Sequence, residues 1–338
     1  MSARTHDRIR VAVIGGGQSC EHDVSLASAA AVRAALDPTA YDVVGLTIGR
    51  DGLWAGPDRR PLGPTVAASL ARAVEVIADC DVVLPVVHGP RGEDGALAAL
   101  CELAGVPCAG SPLRAGALAM DKWATKLVAE AVGVRTAPAR LVTARDAGAL
   151  GFTGPVVVKP VAAGSSHGVR LVREPDDLAP ALAAALGIDD RVLVEEVVTG
   201  REIDVAVLES PGGDHRVSPP LEIVVPAGAL FDTDQKYDGS ATFLLPADLP
   251  EPVVAELSEA AVRVYDALGC RGVARVDFFV TPDGLILNEV NTMPGMTAQS
   301  QVPQMFTAAG LGYPELLDTL LRSPAHVAAP AMAGWALP

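Results

Sequence analysis

The chain has 338 residues, with 41 aspartates and glutamates against 26 lysines and arginines and a formal charge of −15, which argues against a nucleic-acid-binding surface but leaves room for a local basic pocket holding a small anion. Five cysteines (Cys20, Cys80, Cys101, Cys108 and Cys270) without a CxxC pair or zinc-type spacing point to a reduced, cytoplasmic setting. The start MSARTHDRIR lacks the apolar core of a signal peptide, and no run reaches the roughly 18 apolar residues of a spanning helix, so small molecules are expected as partners and neither membrane nor nucleic acid.

Length alone suggests roughly two or three domains. Over residues 10–87 the apolar runs VAVI, VVGLTI and VVLPVV alternate with helical stretches such as 24–36, the pattern of a doubly wound parallel sheet. Between the first strand and that helix lies GGGQSCEHD. A glycine-rich turn there ordinarily cradles a phosphate, yet Glu21 and Asp23 would repel one. A further helix follows HGPRGEDG; Ser111 and Pro112 are expected as N-cap and first residue of a helix through LRAGALAM. Asp121 is expected to cap KWATKLVAEAV, which Gly133 stops. Strands VVVK, VRLV, RVLVEE and EIDVAVL, with one helix at 175–186, then read as a small α+β unit. From His215 come a strand, the polar loop FDTDQKYDGSA, a helix at 252–268 and two strong strands; the tail after Ser323 has no periodicity and is expected to be disordered. The expected division is 1–118, an N-terminal α/β unit; 119–213, a central unit; 214–324, a C-terminal unit with an active-site loop and metal site; and a tail at 325–338.

The most informative stretch is ARVDFFVTPDGLILNEVNT. Alternation puts Arg275, Asp277 and Phe279 on one face of the first strand, and Leu287, Glu289 and Asn291 on one face of the second. If Pro282, Asp283 and Gly284 form a three-residue loop, Asp277 faces Glu289 and Arg275 faces Asn291. Two such carboxylates repel unless a proton or cation lies between them, and Asp, Glu and an Asn amide oxygen make an all-oxygen set suited to magnesium or manganese. The alternative is that these acids line a solvated edge or pair with arginines. Neither GxxxxGK[ST] nor a complete GxGxxG is present, so phosphates must be held elsewhere. VVVKPVAAGSSHGVRLV offers Lys159 as a point charge and a turn whose Gly164 and Gly168 let backbone N–H groups approach, although such a turn can equally be a plain hairpin. Lys122 could be a second phosphate ligand; Glu195 or Glu196 could accept from an exocyclic amine, and Glu202 from ribose hydroxyls.

Taken in order, GGxSxEHDVS, HGPRGEDG, MDK, VVVKP with GSSHG, VEE, DQKY, GCRGVARVD and NEVNTMPGMT resemble the D-alanine–D-alanine ligases of the ATP-grasp superfamily, over residues 11–321. The resemblance implies an N-terminal doubly wound α/β domain followed by a two-part α+β ATP-grasp fold, and a cytoplasmic homodimer joining two D-alanines as a peptidoglycan precursor. Its metal positions are Asp277, Glu289 and Asn291, for two Mg2+ or Mn2+ ions. Its ATP positions are Lys122, Lys159, Ser165, Ser166, Glu195, Glu196, Val198, Glu202, Lys236, Asn288 and Glu289. Glu21 would hold the ammonium of the first D-alanine, so the opening loop receives a cation. His88, Ser300 and Gln301 fall in the substrate pocket, and Arg275 with the Gly295 N–H would stabilise the tetrahedral intermediate. A loop at about 226–246 would close over the site, carrying Lys236 and Tyr237, the latter reaching Ser165 and Glu21. Asp23 reads as a cap or loop-ordering group and His22 as structural.

The chain departs from the family where Gln301 replaces the leucine or methionine common after the pocket serine, and Ala163 a glutamate or leucine. A buried amide without a partner is costly, so Gln301 is expected to point away from the pocket, leaving D-alanine as second substrate; if instead it lines the pocket, D-serine or another polar D-amino acid should be accepted nearly as well. The rival readings are an ATP-grasp ligase with D-lactate, D-serine or another second substrate, a nucleotide-binding regulator without catalysis, and a dinucleotide oxidoreductase. QKY favours the D-alanine form, the full set Lys159, Arg275, Asp277, Glu289 and Asn291 favours catalysis, and the broken GxGxxG disfavours the last.

Overall fold

The computed structural model describes residues 8–224 and 242–323. The loop residues Lys236 and Tyr237 and the tail lie outside them. The first sheet has the order β3-β2-β1-β4, built from β1 (Ile9–Gly16), β2 (Tyr41–Ile48), β3 (Trp54–Ala55) and β4 (Val82–Pro85), parallel except for the short antiparallel edge β3. Residues Val11, Ala12, Val13 and Ile14 are all fully buried, which is why β1 reads as a continuous apolar run: a central parallel strand is covered on both faces. Helices α1 (His22–Ala35), α2 (Val66–Ala78) and α3 (Ala96–Leu103) connect and cover it. Thr65 caps α2 by accepting from Ala68 N–H.

Two helices follow, α4 (Leu113–Met120) and α5 (Lys122–Ala131). The expected Ser111 cap is displaced: α4 starts at Leu113 with Pro112 at its N-cap, because the Ser111 hydroxyl is taken by the backbone of Arg271, 160 residues away. The expected cap of α5 is found. Asp121 Oδ1 accepts from Ala124 N–H at 2.9 Å, its other oxygen pairs with Arg191 at 2.7 Å, and Gly133, with φ +76°, ends the helix turn.

The second sheet, order β5-β8-β6-β7, contains β5 (Ala139–Thr143), β6 (Val156–Pro160), β7 (Arg170–Val172) and β8 (Arg191–Glu196), all antiparallel. Helix α6 (Pro175–Leu186) buries Leu178, Ala181, Leu182 and Ala185 against Val142, Val158 and Val194. The third sheet runs β12-β11-β9-β13-β14, with β10 (His215–Val217) beside β9. It comprises β9 (Arg201–Glu209), β11 (Leu221–Val224), β12 (Thr242–Leu244), β13 (Val273–Thr281) and β14 (Gly284–Asn291). EIDVAVL, read from the sequence with the second unit, is β9 and pairs with β13 inside this third sheet. The 213/214 division therefore falls between two strands that hydrogen-bond to each other. Helix α7 (Glu251–Leu268), together with α4 and α5, packs one face of that sheet around Tyr265, Phe278 and Leu257; burial of each such side chain contributes about 1.5–3 kcal/mol. Helices α8 (Gln301–Ala308) and α9 (Tyr313–Arg322) share a core with β1, β4 and β13.

The predicted register at the carboxylates holds, by a different route. Thr281 pairs with Gly284, so Pro282 and Asp283 form a two-residue loop, and a bulge between Asp277 and Phe278 then shifts the register by one. Asn288 is the extra residue. Asp277 therefore faces Glu289 and Arg275 faces Asn291, as expected. Leu287 does not share the face of Glu289: the bulge sets it against Phe278, in the core with Val276 and Val290.

Candidate active site

Two cavities of about 440 Å³ each open side by side. They share four wall residues, Lys122, Ala163, Arg275 and Glu289. One is bounded by the GGGQSCEHD loop, the HGP turn and the stretch from Asn291 to Val302; the other lies between the second and third sheets. Of the sequence-expected residues, Glu21, His88, Ser165, Asn291, Gly295, Ser300 and Gln301 line the first. Lys159, Ser166, Glu195, Glu196, Val198, Glu202, Asp277 and Asn288 line the second. Lys236 and Tyr237 lie outside the described residues.

Glu21 stands at the N-cap of α1 without capping it through its side chain. Instead its Oε2 fits where no side chain could be: a Cβ built on Gly89 or on Gly164 would each lie 2.8 Å from it. The two glycines let the HGP turn and the GSSHG turn close on one carboxylate. Neighbouring His22 is buried and bonds through Nδ1 to Gly17 O at 2.6 Å, a structural role as expected, while Asp23 pairs with Arg50 at 2.8 Å on the surface. His88 joins three segments: Nδ1 donates to Met293 O at 2.9 Å and Nε2 meets Ser28 Oγ at 3.0 Å. Burial works against its protonated form, but the hydrogen bond and charge of Glu93, with Glu21 and the Met293 carbonyl, outweigh it and raise the pKa above the ordinary value.

In the GSSHG turn, Ser165 and Ser166 both adopt left-handed backbone, φ +52° and +55°, which costs non-glycine residues roughly 1–3 kcal/mol each. Such strain is typical of a segment shaped for a ligand. Below it, Lys159 and Lys126 grip the buried Glu195 at 2.7 and 2.8 Å, and although burial would raise its pKa, the two lysines hold it below the usual carboxylate range. Lys159 also donates to Asn288 Oδ1 at 3.4 Å, which gives the bulged residue a partner in the cavity. Lys122 Nζ donates to Ala163 O at 2.8 Å and pairs with Glu289 at 3.3 Å.

Arg275 is the centre of the polar array. Its Nε and Nη2 donate to the two oxygens of Asp277, both at 2.7 Å, and its Nη1 donates to Gln301 Oε1 at 2.8 Å. Gln301 does not point away: it lines the first cavity, and its Nε2 donates to Asp204 Oδ2 at 3.0 Å. The amide has met polar groups at both ends, which removes the cost that argued for turning it out. Ser300 Oγ bonds Thr297 Oγ1 at 2.8 Å and accepts from Thr297 N–H at 3.1 Å; a Cβ on Gly295 would lie 2.9 Å from it, so Gly295 keeps this corner open.

Asp277, Glu289 and Asn291 fit a hard cation by chemistry: two carboxylates face each other across β13 and β14, and the third donor is an amide. Among the described residues no group of three or more His, Cys, Asp or Glu side chains could by itself hold a metal ion, so a cation here would also draw on the Asn291 amide oxygen, water or a bound phosphate. The alternative raised by the sequence is also visible, since Asp277 pairs with an arginine. Asp204, Lys126 and Glu93 were missed. Asp204 had a legible signal, an acid inside the apolar run IDVAVL; Lys126 had one too, four residues after Lys122 on the same helix.

Comparison with known proteins matches the same two parts. The family description "D-ala D-ala ligase N-terminus" fits residues 10–111 and "D-ala D-ala ligase C-terminus" fits residues 135–322. This chain belongs to the D-alanine–D-alanine ligase family. The D-alanine–D-alanine ligase of Corynebacterium aurimucosum is 41% identical, covering 93% of this chain and 97% of that one. Among solved structures, the VanG D-Ala:D-Ser ligase of Enterococcus faecalis superposes with TM-score 0.80 at 33% identity, over 93% of this chain and 98% of that one. A D-alanine–D-alanine ligase from Bacillus anthracis, solved with ATP, gives 0.75 at 28%, over 93% and 97%. These structures confirm the expected fold, an α/β unit followed by a two-part ATP-grasp fold. Among the described residues no helix is long and apolar enough to cross a membrane.

Proposed function

We propose that the chain joins two D-alanines to D-alanyl-D-alanine at the expense of ATP, through an acyl phosphate, as a step in making a cell-wall precursor. The observation that carries this reading is the pair of cavities meeting at Lys122, Ala163, Arg275 and Glu289: one suits a nucleotide and the other suits amino acids, and their junction is where a γ-phosphoryl group and a carboxylate can meet. In this reading Glu195 and Glu202 accept from the adenosine, and Ser165 and Ser166 turn backbone N–H groups to the phosphates. Lys122 and Lys159 offset phosphate charge, with Lys236 as a further contributor. Asp277, Glu289 and Asn291 would hold Mg2+ or Mn2+, two ions in this proposal, which would neutralise the triphosphate as charge moves to the leaving group.

Glu21 orients the first D-alanine by its ammonium. The carboxylate oxygen of that D-alanine attacks the γ-phosphorus, the bond to the ADP oxygen breaks, and an acyl phosphate forms. Ser300 positions the second D-alanine. Its amine, after losing a proton, attacks the acyl carbon, Arg275 and Gly295 N–H receive the oxyanion, and inorganic phosphate leaves as the C–O bond breaks. Tyr237 and the 226–246 loop would exclude water, which otherwise hydrolyses the acyl phosphate. Gln301 lines the pocket, the arrangement that would let D-serine or another polar D-amino acid compete with D-alanine as second substrate, so the competition below decides between them. A cytoplasmic homodimer, and the division at 118/119, belong to the same proposal.

The test is incubation with Mg2+, ATP and D-alanine, following phosphate release and dipeptide by mass spectrometry, with D-serine and D-lactate as competitors. D-alanine-dependent phosphate release matched by dipeptide is expected. Its absence would sink the reading, and preferential incorporation of D-serine would replace the second substrate.

A further inference from the structure

Pairing across three strands lines up Asp204 on β9, Asp277 on β13 and Glu289 on β14 in a single row. In the adjoining row β13 carries Arg275. Asp204 is almost wholly buried, between the fully buried Ile203 and Val205, where an ionised carboxylate is tolerated only if it is paired. Its partners include Arg275 Nε, 3.3 Å away, and Gln301 Nε2. Arg275 is itself largely enclosed, with 14% of its side chain exposed, and bonds most closely to Asp277, engaging both carboxylate oxygens. Each oxygen of Asp277 keeps a second lone pair, but a carboxylate already neutralised by a bidentate guanidinium is a weak ligand, and a cation beside it would repel Arg275. Asp277 therefore serves the metal role proposed above best if Arg275 loosens from it, and so enclosed an arginine does so only if other partners remain.

We propose that Asp204 and Gln301 are that reserve: they are positioning residues that keep Arg275 in place when Asp277 turns to the cation. Asp204 is the permanent counter-ion of Arg275, and Asp277 the exchangeable one. Gln301 completes the device by bridging the two, its carbonyl oxygen on Nη1 and its amide nitrogen on Asp204. The unusual residue beside Ser300 is thus part of the apparatus of Arg275, and its position on the cavity wall follows from that task.

The inference rests on the proposed metal role of Asp277, and the test separates the two. Mn2+ is titrated into the full chain with a non-hydrolysable ATP analogue, and bound Mn2+ is read by electron paramagnetic resonance. Wild-type binding is expected; failure there would overturn the metal assignment itself. Given wild-type binding, Asp204→Asn, which keeps size and shape, should weaken Mn2+ by about tenfold, because Arg275 then keeps the neutral Gln301 but has lost the charge of Asp204, and so stays on Asp277. Gln301→Leu should weaken it by a smaller factor. In an Arg275→Ala background Asp204→Asn should have no further effect, since nothing then competes for Asp277. Unchanged Mn2+ binding in both single variants would overturn the proposal. So would an equal loss with and without Arg275, which would make Asp204 a metal ligand or a general support of the sheet. A structural role alone would lower thermal stability without this dependence on Arg275.

Discussion

Glu289 faces Asp277 directly and is paired to Lys122, so it stands at the meeting point of two charges that a triphosphate and its cation would rearrange. Glu289→Gln keeps the size and removes the charge. It should lower phosphate release at saturating Mg2+ by at least about tenfold while the fold is retained; a rate above about a tenth of wild type would remove Glu289 from the principal ligands. Gly164 makes a second case at this scale. A methyl group there would come within 2.8 Å of Glu21 Oε2. Gly164→Ala should therefore displace the Glu21 carboxylate, raising the KM for D-alanine several-fold with a smaller change in kcat, because the defect lies in holding the ammonium. Equal KM values would show that Glu21 does not contact the first substrate.

Helix α5 carries Lys122 to the walls of both cavities and Lys126 to Glu195 on the wall of the second, from a helix start capped by Asp121, which holds both Ala124 N–H and Arg191. Asp121→Ala should cost about 0.5–2 kcal/mol of unfolding free energy, read as a lower urea midpoint with an unchanged slope. The sequence carried this cap plainly, because an N-cap and its helix are local. It also carried the facing of Asp277 and Glu289, because hydrophobic alternation and turn residues constrain strand pairing. What it could not carry was the compensation between a two-residue loop and a bulge, two shifts that leave the same pairing at the carboxylates yet move Leu287 into the core. Nor could it place Ser111 or Gln301, whose hydroxyl and amide are settled by partners at Arg271, Arg275 and Asp204, all distant in sequence or on other elements. Polar side chains that can satisfy themselves at long range are legible only as candidates.

Across the whole molecule His88 ties the first sheet to the loop after β14, through Ser28 on α1 and Met293. Its pKa is raised in the folded state, so it binds its proton more tightly there than in the unfolded chain. That adds stability in full below the unfolded value of about 6.5, and the contribution is lost as pH climbs through the higher folded value. The melting temperature of the wild type relative to His88→Gln should therefore decline on raising pH through that window, by calorimetry; a constant difference would mean that His88 is neutral in the fold. The shared wall at Lys122, Ala163, Arg275 and Glu289 has another consequence, for inhibitors. Two pockets separated by a few side chains are close enough for one short linker. An adenosine phosphate tethered to a D-alanine phosphonate would find its second half already delivered at a local concentration in the millimolar range. Such a conjugate should bind by calorimetry about 10²–10⁴-fold tighter than its better half, a gain in avidity that comes from the placement of the pockets and needs no new contact.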